Sequence, residues 1–285
     1  MNASGASLLP QAPAPVDDRQ AALTAEHIGD PVALTRYFEG LRRAVDPGLL
    51  ARLPEFAGKP YPLGRCREIR DAVLALLLER VNAPREPMDA ALSVFLRSGG
   101  IGKKTWGVLR DSYFQNALQF GGWYVDVAND TVVASKPPVE VLPAGEAGMV
   151  AVRDYRHFAD VARRYWGAEV YRNAVFPRLA AYFPLIVVYP TGAAEPAVGS
   201  DQVTELTRRA GFRPSLDALE TFPDAPATVA EALARRAGDE PLLAGDGDPV
   251  AFVEGYVTEG RQGDLEFRRQ CVAAWRKVSA PTAPS

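Results

Sequence analysis

Residues 103–120, "KKTWGVLRDSYFQNALQF", and residues 121–130, "GGWYVDVAND", form the stretch that decides the fold. In the first part, large apolar residues recur at spacings of three and four, which is the period of one face of an α-helix. The glycine pair that follows supplies a residue that can take a positive φ at the end of a helix. The aromatic and β-branched residues of "WYVDVA" then favour a strand. We therefore expect a helix over 103–120 and a strand from Trp123.

Most other periodic segments also indicate helices. Residues 65–82, "RCREIRDAVLALLLERVN", carry an apolar stripe that includes Leu76 and Leu77, with Arg70 on the outer face. Short apolar runs favour strands at residues 139–143, "VEVLP", and at 184–189, "PLIVVY". Further helices are predicted over residues 31–46, 88–97, 154–166, 168–182, 200–210, 226–237, 249–259 and 263–278.

These elements predict an α+β fold that is predominantly helical, with a small β-sheet or hairpin around residues 123–142 and 184–189. Because the strand candidates do not alternate regularly with helices, a doubly wound parallel sheet is disfavoured. The Ala-, Pro- and Ser-rich ends, residues 1–20 and 279–285, are predicted to be disordered tails. Between them we expect a main helical domain over residues 21–190 and a C-terminal helical subdomain over residues 191–278.

The composition restricts the class of protein. Formal net charge is −3, from 32 basic and 35 acidic residues, which argues against a nucleic-acid partner. The two cysteines, Cys66 and Cys271, lie far apart in predicted helices and are no disulfide framework. We expect buried thiols and a cytoplasmic location. The sequence has no run of about 18 apolar residues and no secretory signal at its start, so we expect no membrane association.

The polar residues at the end of the predicted strand are the first candidate site. Asp126, Asn129 and Asp130 offer carboxylate and amide oxygens of the kind that bind Mg²⁺ or Mn²⁺ together with substrate phosphates. We assign Asp126 and Asp130 as metal ligands and catalytic candidates, and Trp123, Tyr124 and Asn129 as substrate-binding candidates. The alternative is a hairpin turn, in which Asn129 and Asp130 accept backbone N–H bonds.

Two further candidates lie outside this turn. Residues 98–105, "SGGIGKKT", resemble part of a phosphate loop, but Arg97 stands where that loop needs its first glycine. Lys103 and Lys104 are therefore assigned to anion binding at the N-terminus of the predicted helix. His157, within the predicted helix 154–166, is a third catalytic candidate, with a structural histidine as the alternative.

One segment resembles a known family. Residues 113–126, "YFQNALQFGGWYVD", are similar to the helix, glycine pair and acidic strand end of DXD glycosyltransferases of the α-mannosyltransferase and clostridial-toxin type. The resemblance implies that Tyr124 and Asp126 occupy motif positions, whereas the second motif aspartate is replaced by Ala128. It covers about 14 of the 285 residues, and the preceding chain lacks the strand–helix–strand half that binds the nucleotide in such enzymes.

Two functions are compatible with these features. The first is an enzyme of group-transfer type with a phosphorylated or sugar-like small-molecule substrate, whose site lies within residues 103–131. The second is a non-catalytic helical accessory or protein-binding module that uses an aromatic surface. The clustered polar residues around Asp126 favour the enzyme slightly. The scarcity of histidine and the lack of a recognisable nucleophile motif favour the binding module.

Overall fold

A computed structural model describes residues 9–279, and these form two compact units. The first unit comprises Pro13–Val150, and the second comprises residues 9–12 and 151–279. The observed boundary between the units thus lies at Val150, whereas the sequence suggested a division near residue 190. Part of the predicted N-terminal tail is ordered, because Leu9 and Gln20 are buried. Residues 1–8 and 280–285, which belong to the predicted tails, lie outside the described residues.

The first unit begins with helices and one short hairpin. Asp30 caps the second helix by accepting hydrogen bonds from Val32 N and Ala33 N, and Pro31 occupies the first turn. This helix begins where the sequence predicted but continues through Pro47. The helices are α1 (Asp18–Ile28), α2 (Pro31–Arg52), α3 (Cys66–Asn82) and α4 (Pro87–Arg97). The hairpin pairs β1 (Glu55–Phe56) with β2 (Lys59–Pro60).

A curled antiparallel sheet of five strands completes the first unit. Its strands are β3 (Gly102–Leu109), β4 (Tyr113–Phe120), β5 (Trp123–Asp126), β6 (Glu140–Pro143) and β7 (Met149–Val150). They are arranged in the order β6-β5-β4-β3-β7. The register aligns Thr105 with Ala117 and Asp126 with Glu140. The predicted return strand at 139–143 is thereby confirmed as the partner of β5.

The prediction of a predominantly helical fold is wrong, and the error begins at residues 103–120. This segment is the β3–β4 hairpin, so the sheet is much larger than expected. Helices account for 48% and strands for 16% of the chain, which is an α+β mixture. Nearly all of β4 is buried on both faces, so it lacks the apolar–polar alternation that identifies a strand. The hairpin turns through Arg110 and Asp111, both at positive φ, without a glycine to indicate the turn.

The two faces of this sheet have different surroundings. One face packs against the helices, and its core includes Phe38, Phe95, Leu118 and Val125. Because side chains alternate along a strand, Gln115, Ala117, Tyr124 and Asp126 share the opposite face. Of the residues that the sequence singled out, Tyr124 and Asp126 therefore lie on this face.

Helix α3 confirms the predicted helix at 65–82, except for the position of Arg70. The side chain of Arg70 is buried, not exposed as predicted. Its Nη1 donates to Asn116 Oδ1 at 2.6 Å, and its Nη2 contacts Asp71 Oδ1 at 2.9 Å. A charged residue can occupy this buried position because the sheet supplies hydrogen-bond acceptors that the helical period does not reveal.

The second unit surrounds a three-stranded antiparallel sheet with helices. Its strands are β8 (Glu169–Arg172), β9 (Leu185–Val188) and β10 (Ala194–Ala197), in the order β10-β9-β8. Its helices are α5 (Tyr155–Trp166), α6 (Asp201–Arg209), α7 (Arg213–Thr221), α8 (Ala227–Ala234), α9 (Pro249–Thr258) and α10 (Leu265–Val278). Two 3₁₀ turns, Pro177–Leu179 and Arg261–Gly263, complete it. The helix predicted at 168–182 is wrong, since this segment contains β8 and the first 3₁₀ turn.

Two further expectations concern the cysteines and membranes. Cys66 and Cys271 are free thiols in the interior, as predicted. Burial raises the pKa of both thiols, which disfavours the reactive thiolate form. Across residues 9–279, no helix has the length and apolar character needed to cross a membrane.

Candidate functional site

Asp126 lies at the end of β5 and is completely buried. Its carboxylate accepts hydrogen bonds from Gln115 Nε2 at 2.6 Å, Tyr124 OH at 3.1 Å and Ala128 N at 2.8 Å. Burial raises the pKa of Asp126 to about 6, although these three donors act in the opposite direction. The side-chain oxygen of Gln115 is buried and finds no hydrogen-bond partner within residues 9–279.

Asp130 is held by an arginine of helix α2. Arg42 Nη1 lies 2.9 Å from Asp130 Oδ1, and Arg42 Nη2 lies 3.2 Å from Asp130 Oδ2. Arg42 also contacts Asp46 at 2.6 Å and donates to Val127 O at 2.8 Å. Burial lowers the pKa of Arg42, but the hydrogen bonds to the two aspartates outweigh it and the net shift is upward. Both carboxylate oxygens of Asp130 therefore accept hydrogen bonds from Arg42, and these bonds connect the turn to helix α2.

The remaining residues of the predicted turn site also bond to nearby backbone. Asn129 Nδ2 donates to Pro137 O at 3.0 Å, and Asn129 N donates to Pro138 O at 3.2 Å. Trp123 Nε1 donates to Ile28 O at 2.8 Å. Within residues 9–279, neither Asn129 nor Asp130 accepts a backbone N–H bond, as the hairpin-turn alternative required: Asn129 donates to two carbonyls and Asp130 accepts from Arg42.

The cationic and histidine candidates occupy other places. Lys103 and Lys104 lie on β3, so the helix N-terminus on which their anion site depended does not exist. Lys104 Nζ lies 3.4 Å from Asp71 Oδ1. His157 belongs to the second unit, where its Nδ1 accepts from Arg153 N at 3.1 Å near the start of α5. In the first unit, Tyr124 and Asp126 share a hydrogen bond, and the Asp126 and Asp130 carboxylates have different partners.

Metal binding at Asp126 and Asp130 stays a prediction. Within residues 9–279, no group of three or more His, Cys, Asp or Glu side chains is arranged to hold an ion. The resemblance to DXD glycosyltransferases loses its first element, because the helix that it requires at residues 113–120 is strand β4.

A pocket that the sequence did not indicate lies within the second unit. Its volume is about 510 Å³, within the range of small-molecule sites. Its walls come from the first 3₁₀ turn, the loop before α9, helix α9 itself, the second 3₁₀ turn and helix α10.

Helix α9 presents one face to this pocket. Phe252, Gly255, Tyr256 and Glu259 all line it and follow the spacing of one helix face. On the opposite face, Val253 is buried in the core of the unit. The helix is therefore anchored by its valines, and its other face is free to line a cavity.

Three aromatic rings and two arginines give the pocket its chemical character. The Phe267 ring lies 4.8 Å from the Tyr256 ring, and the Phe252 ring lies 6.5 Å from it on the other side. Arg178 lies over the Phe252 ring at 5.1 Å, and Arg261 lies over the Phe267 ring at 5.4 Å. Such rings offer faces on which a flat ligand can stack.

The charges around the pocket are unevenly compensated. Arg261 Nε lies 3.0 Å from Glu259 Oε2, and Arg261 Nη1 lies 3.2 Å from Asp264 Oδ2. Asp248 accepts from Val250 N at 3.1 Å as the cap of α9. Arg178, by contrast, makes no ion pair and donates no hydrogen bond within residues 9–279.

Gly255 occupies the middle of α9, where its backbone is helical. A Cβ atom built at this position meets no other atom within 4 Å. Glycine in a helix interior costs about 0.5–1 kcal/mol relative to alanine, and here no close contact requires it. A glycine inside a helical period is only a weak sequence signal of this pocket, because Gly48 inside α2 shows the same open space. The other lining residues come from separate elements and carry no such signal.

Comparison with protein-family models, with curated proteins and with solved structures gives no match to this chain, so the two sites have only their own geometry to support an assignment.

Proposed function

We propose that the protein is a small-molecule-binding protein whose ligand has a flat ring and occupies the pocket beside α9. This is a binding function without catalysis, and it differs from both functions considered from the sequence, which were a group-transfer enzyme and a protein-binding module.

The observation that carries the proposal is the open space at Gly255. Gly255 lines the pocket, and beyond its own neighbouring helix backbone a Cβ atom there meets nothing within 4 Å, so a side chain has room to occupy the pocket. Alanine or leucine would favour the helix, so the glycine lowers the stability of α9 while keeping the pocket open. The same open space exists at Gly48 in α2, so what distinguishes Gly255 is its position in the wall of the pocket.

The aromatic walls support the same assignment. Tyr256 and Phe252 are only half-buried, so their rings are partly available to a ligand. Burial of the aromatic area that they expose would favour binding of a flat apolar body. Burial also raises the pKa of Tyr256, so its hydroxyl stays protonated and available as a hydrogen-bond donor or acceptor at neutral pH.

The test uses the neutral fluorophore 1-anilinonaphthalene and the variant Gly255→Leu. We expect the wild-type protein to bind the fluorophore and Gly255→Leu to bind it at least about tenfold more weakly. The variant should stay folded, and its helix should gain about 0.8 kcal/mol from the leucine. The matched control is Gly48→Leu in α2, where a Cβ atom also meets nothing within 4 Å.

Equal fluorophore binding by the wild type and Gly255→Leu would overturn the proposal, and so would a wild type that binds neither this neutral fluorophore nor an anionic naphthalene derivative. Loss of binding in Gly48→Leu as well would show that leucine substitutions act through folding and not through the pocket. Thermal melts of the three proteins distinguish these cases.

Group transfer at residues 103–131 is a second candidate, favoured by the raised pKa of Asp126. Perturbed carboxyl groups concentrate in active sites, although buried structural groups are perturbed in the same way. Release of UDP from UDP-glucose in the presence of Mn²⁺, abolished in Asp126→Asn, would support this candidate. If the wild type releases no UDP, the group-transfer candidate with a UDP-sugar donor is contradicted.

A further inference from the structure

We propose that Arg178 makes the pocket beside α9 selective for a ligand that carries an anionic group next to its flat ring. The inference rests on the proposed binding function and adds the charge of the ligand. The chemistry that Arg178 would recognise is an oxyanion, and both a phosphate ester and a carboxylate provide it.

Arg178 is distinguished from the other arginine of the pocket by its lack of a compensating acid. The guanidinium of Arg261 is shared by Glu259 and Asp264 at 3.0 and 3.2 Å. The guanidinium of Arg178 has the Phe252 ring as its neighbour and no ion pair within residues 9–279. Its hydrogen-bond donors are thus available to a ligand.

The position of Arg178 suits a ligand that stacks on the aromatic wall. The guanidinium lies over Phe252, and Phe252 is a neighbour of Tyr256 on the same face of α9. A ring seated against Tyr256 would place a substituent directed toward Phe252 within the reach of Arg178. Stacking and a charge-assisted hydrogen bond would then act on the same molecule.

The acids of the pocket do not neutralise this position. Glu259 is paired with Arg261 at 3.0 Å and Asp248 caps α9 at 3.1 Å, and neither carboxylate forms an ion pair with Arg178 within residues 9–279. Gly245 approaches from the other side, where a Cβ atom would lie 3.6 Å from Arg178 Nε. The φ angle of Gly245 is +95°, which residues with a side chain rarely adopt. The backbone of the loop before α9 therefore lies beside Arg178 without an intervening side chain.

The experiment compares three probes that share one ring system and differ in one group: 2-naphthyl phosphate, 2-naphthoate and neutral 2-naphthol. The affinity of each probe is measured by its displacement of 1-anilinonaphthalene from the wild type, from Arg178→Gln and from Arg235→Gln. Arg235 is the matched control, because it is also exposed and also makes no ion pair within residues 9–279. Both variants lower the net charge equally.

We expect at least one anionic probe to bind the wild type and Arg235→Gln about tenfold more tightly than 2-naphthol. In Arg178→Gln this preference should disappear, while the affinity for 2-naphthol stays unchanged. Preference for the phosphate over the carboxylate identifies a phosphorylated ligand, and the reverse identifies an aromatic acid.

Two results would overturn the inference while leaving the binding function intact. One is equal affinity of the wild type for all three probes, and the other is an equal loss of preference in both arginine variants. If 1-anilinonaphthalene does not bind, the probes are titrated directly by their own fluorescence. Tight binding of an anionic probe that requires Arg178 then supports the inference, and no binding of any probe removes both proposals.

Discussion

Replacement of Asp126 by asparagine should change how stability depends on pH, because the carboxyl group is buried. The pKa of Asp126 is raised from 3.8 to about 6 in the folded protein. The folded state therefore holds the proton more tightly than the unfolded state. Between about pH 4 and pH 6, unfolding releases this proton, and the free energy of unfolding falls as the pH rises. Above this window the loss is complete.

The magnitude follows from the two pKa values. The folded and unfolded pKa values of Asp126 differ by about two, and each pKa unit corresponds to about 1.4 kcal/mol. Ionisation of Asp126 therefore lowers the free energy of unfolding by up to about 3 kcal/mol. Asparagine resembles the protonated acid in shape and cannot ionise. It also loses one acceptor for the donors of Gln115, Tyr124 and Ala128, at a cost of about 1 kcal/mol. Relief of the buried charge is the larger effect, so Asp126→Asn should be more stable than wild type at pH 7.5.

Urea denaturation followed by tryptophan fluorescence at several pH values between 4.5 and 7.5 measures this difference. The stability of Asp126→Asn relative to wild type should increase by about 2 kcal/mol across this range, because about 1 kcal/mol of the full effect is already present at about pH 4.5. Since all other carboxyl groups are shared by the two proteins, their titration cancels in the difference. A difference that stays constant with pH would refute the assignment of the raised pKa to Asp126.

Three other results are expected from the first unit. Asp130→Asn should destabilise the protein by about 2–3 kcal/mol in the same urea experiment, because it weakens the hydrogen bonds of the buried Arg42; an unchanged stability would contradict the pairing. Arg70→Ala should cost about 2 kcal/mol by urea denaturation, since it leaves Asn116 without its donor, whereas a cost below about 0.5 kcal/mol would place Arg70 on the surface. Mg²⁺ and Mn²⁺ should leave the melting temperature of the wild type unchanged, because both oxygens of Asp130 are occupied by Arg42; a rise with either ion would restore the metal site.

Elements with a single buried face could be predicted from the sequence. Helix α3 and helix α5 both show apolar residues at helical spacing, and both form within a residue or two of the predicted bounds. The β3–β4 hairpin could not be predicted in this way. Its strands are largely buried on both faces, and the chance spacing of Trp106, Leu109 and Tyr113 imitates a helix.

The sites were harder to predict than the helices, for a related reason. The segment "GGWYVDVAND" raised two alternatives that depend on what lies opposite Asp126 and Asp130. Arg42 is distant in sequence, and it contacts Asp130 through an interaction that no local pattern contains. The pocket beside α9 likewise combines residues from separate elements, so only Gly255 gave a local signal of it.

The most direct test of the binding function is a crystal structure of the protein with 2-naphthyl phosphate. We predict the naphthalene ring against Tyr256 and Phe252, with phosphate oxygens about 2.7–2.9 Å from the guanidinium nitrogens of Arg178. A pocket without the probe, in crystals that hold it elsewhere on the chain, would contradict the assignment of this pocket as the binding site.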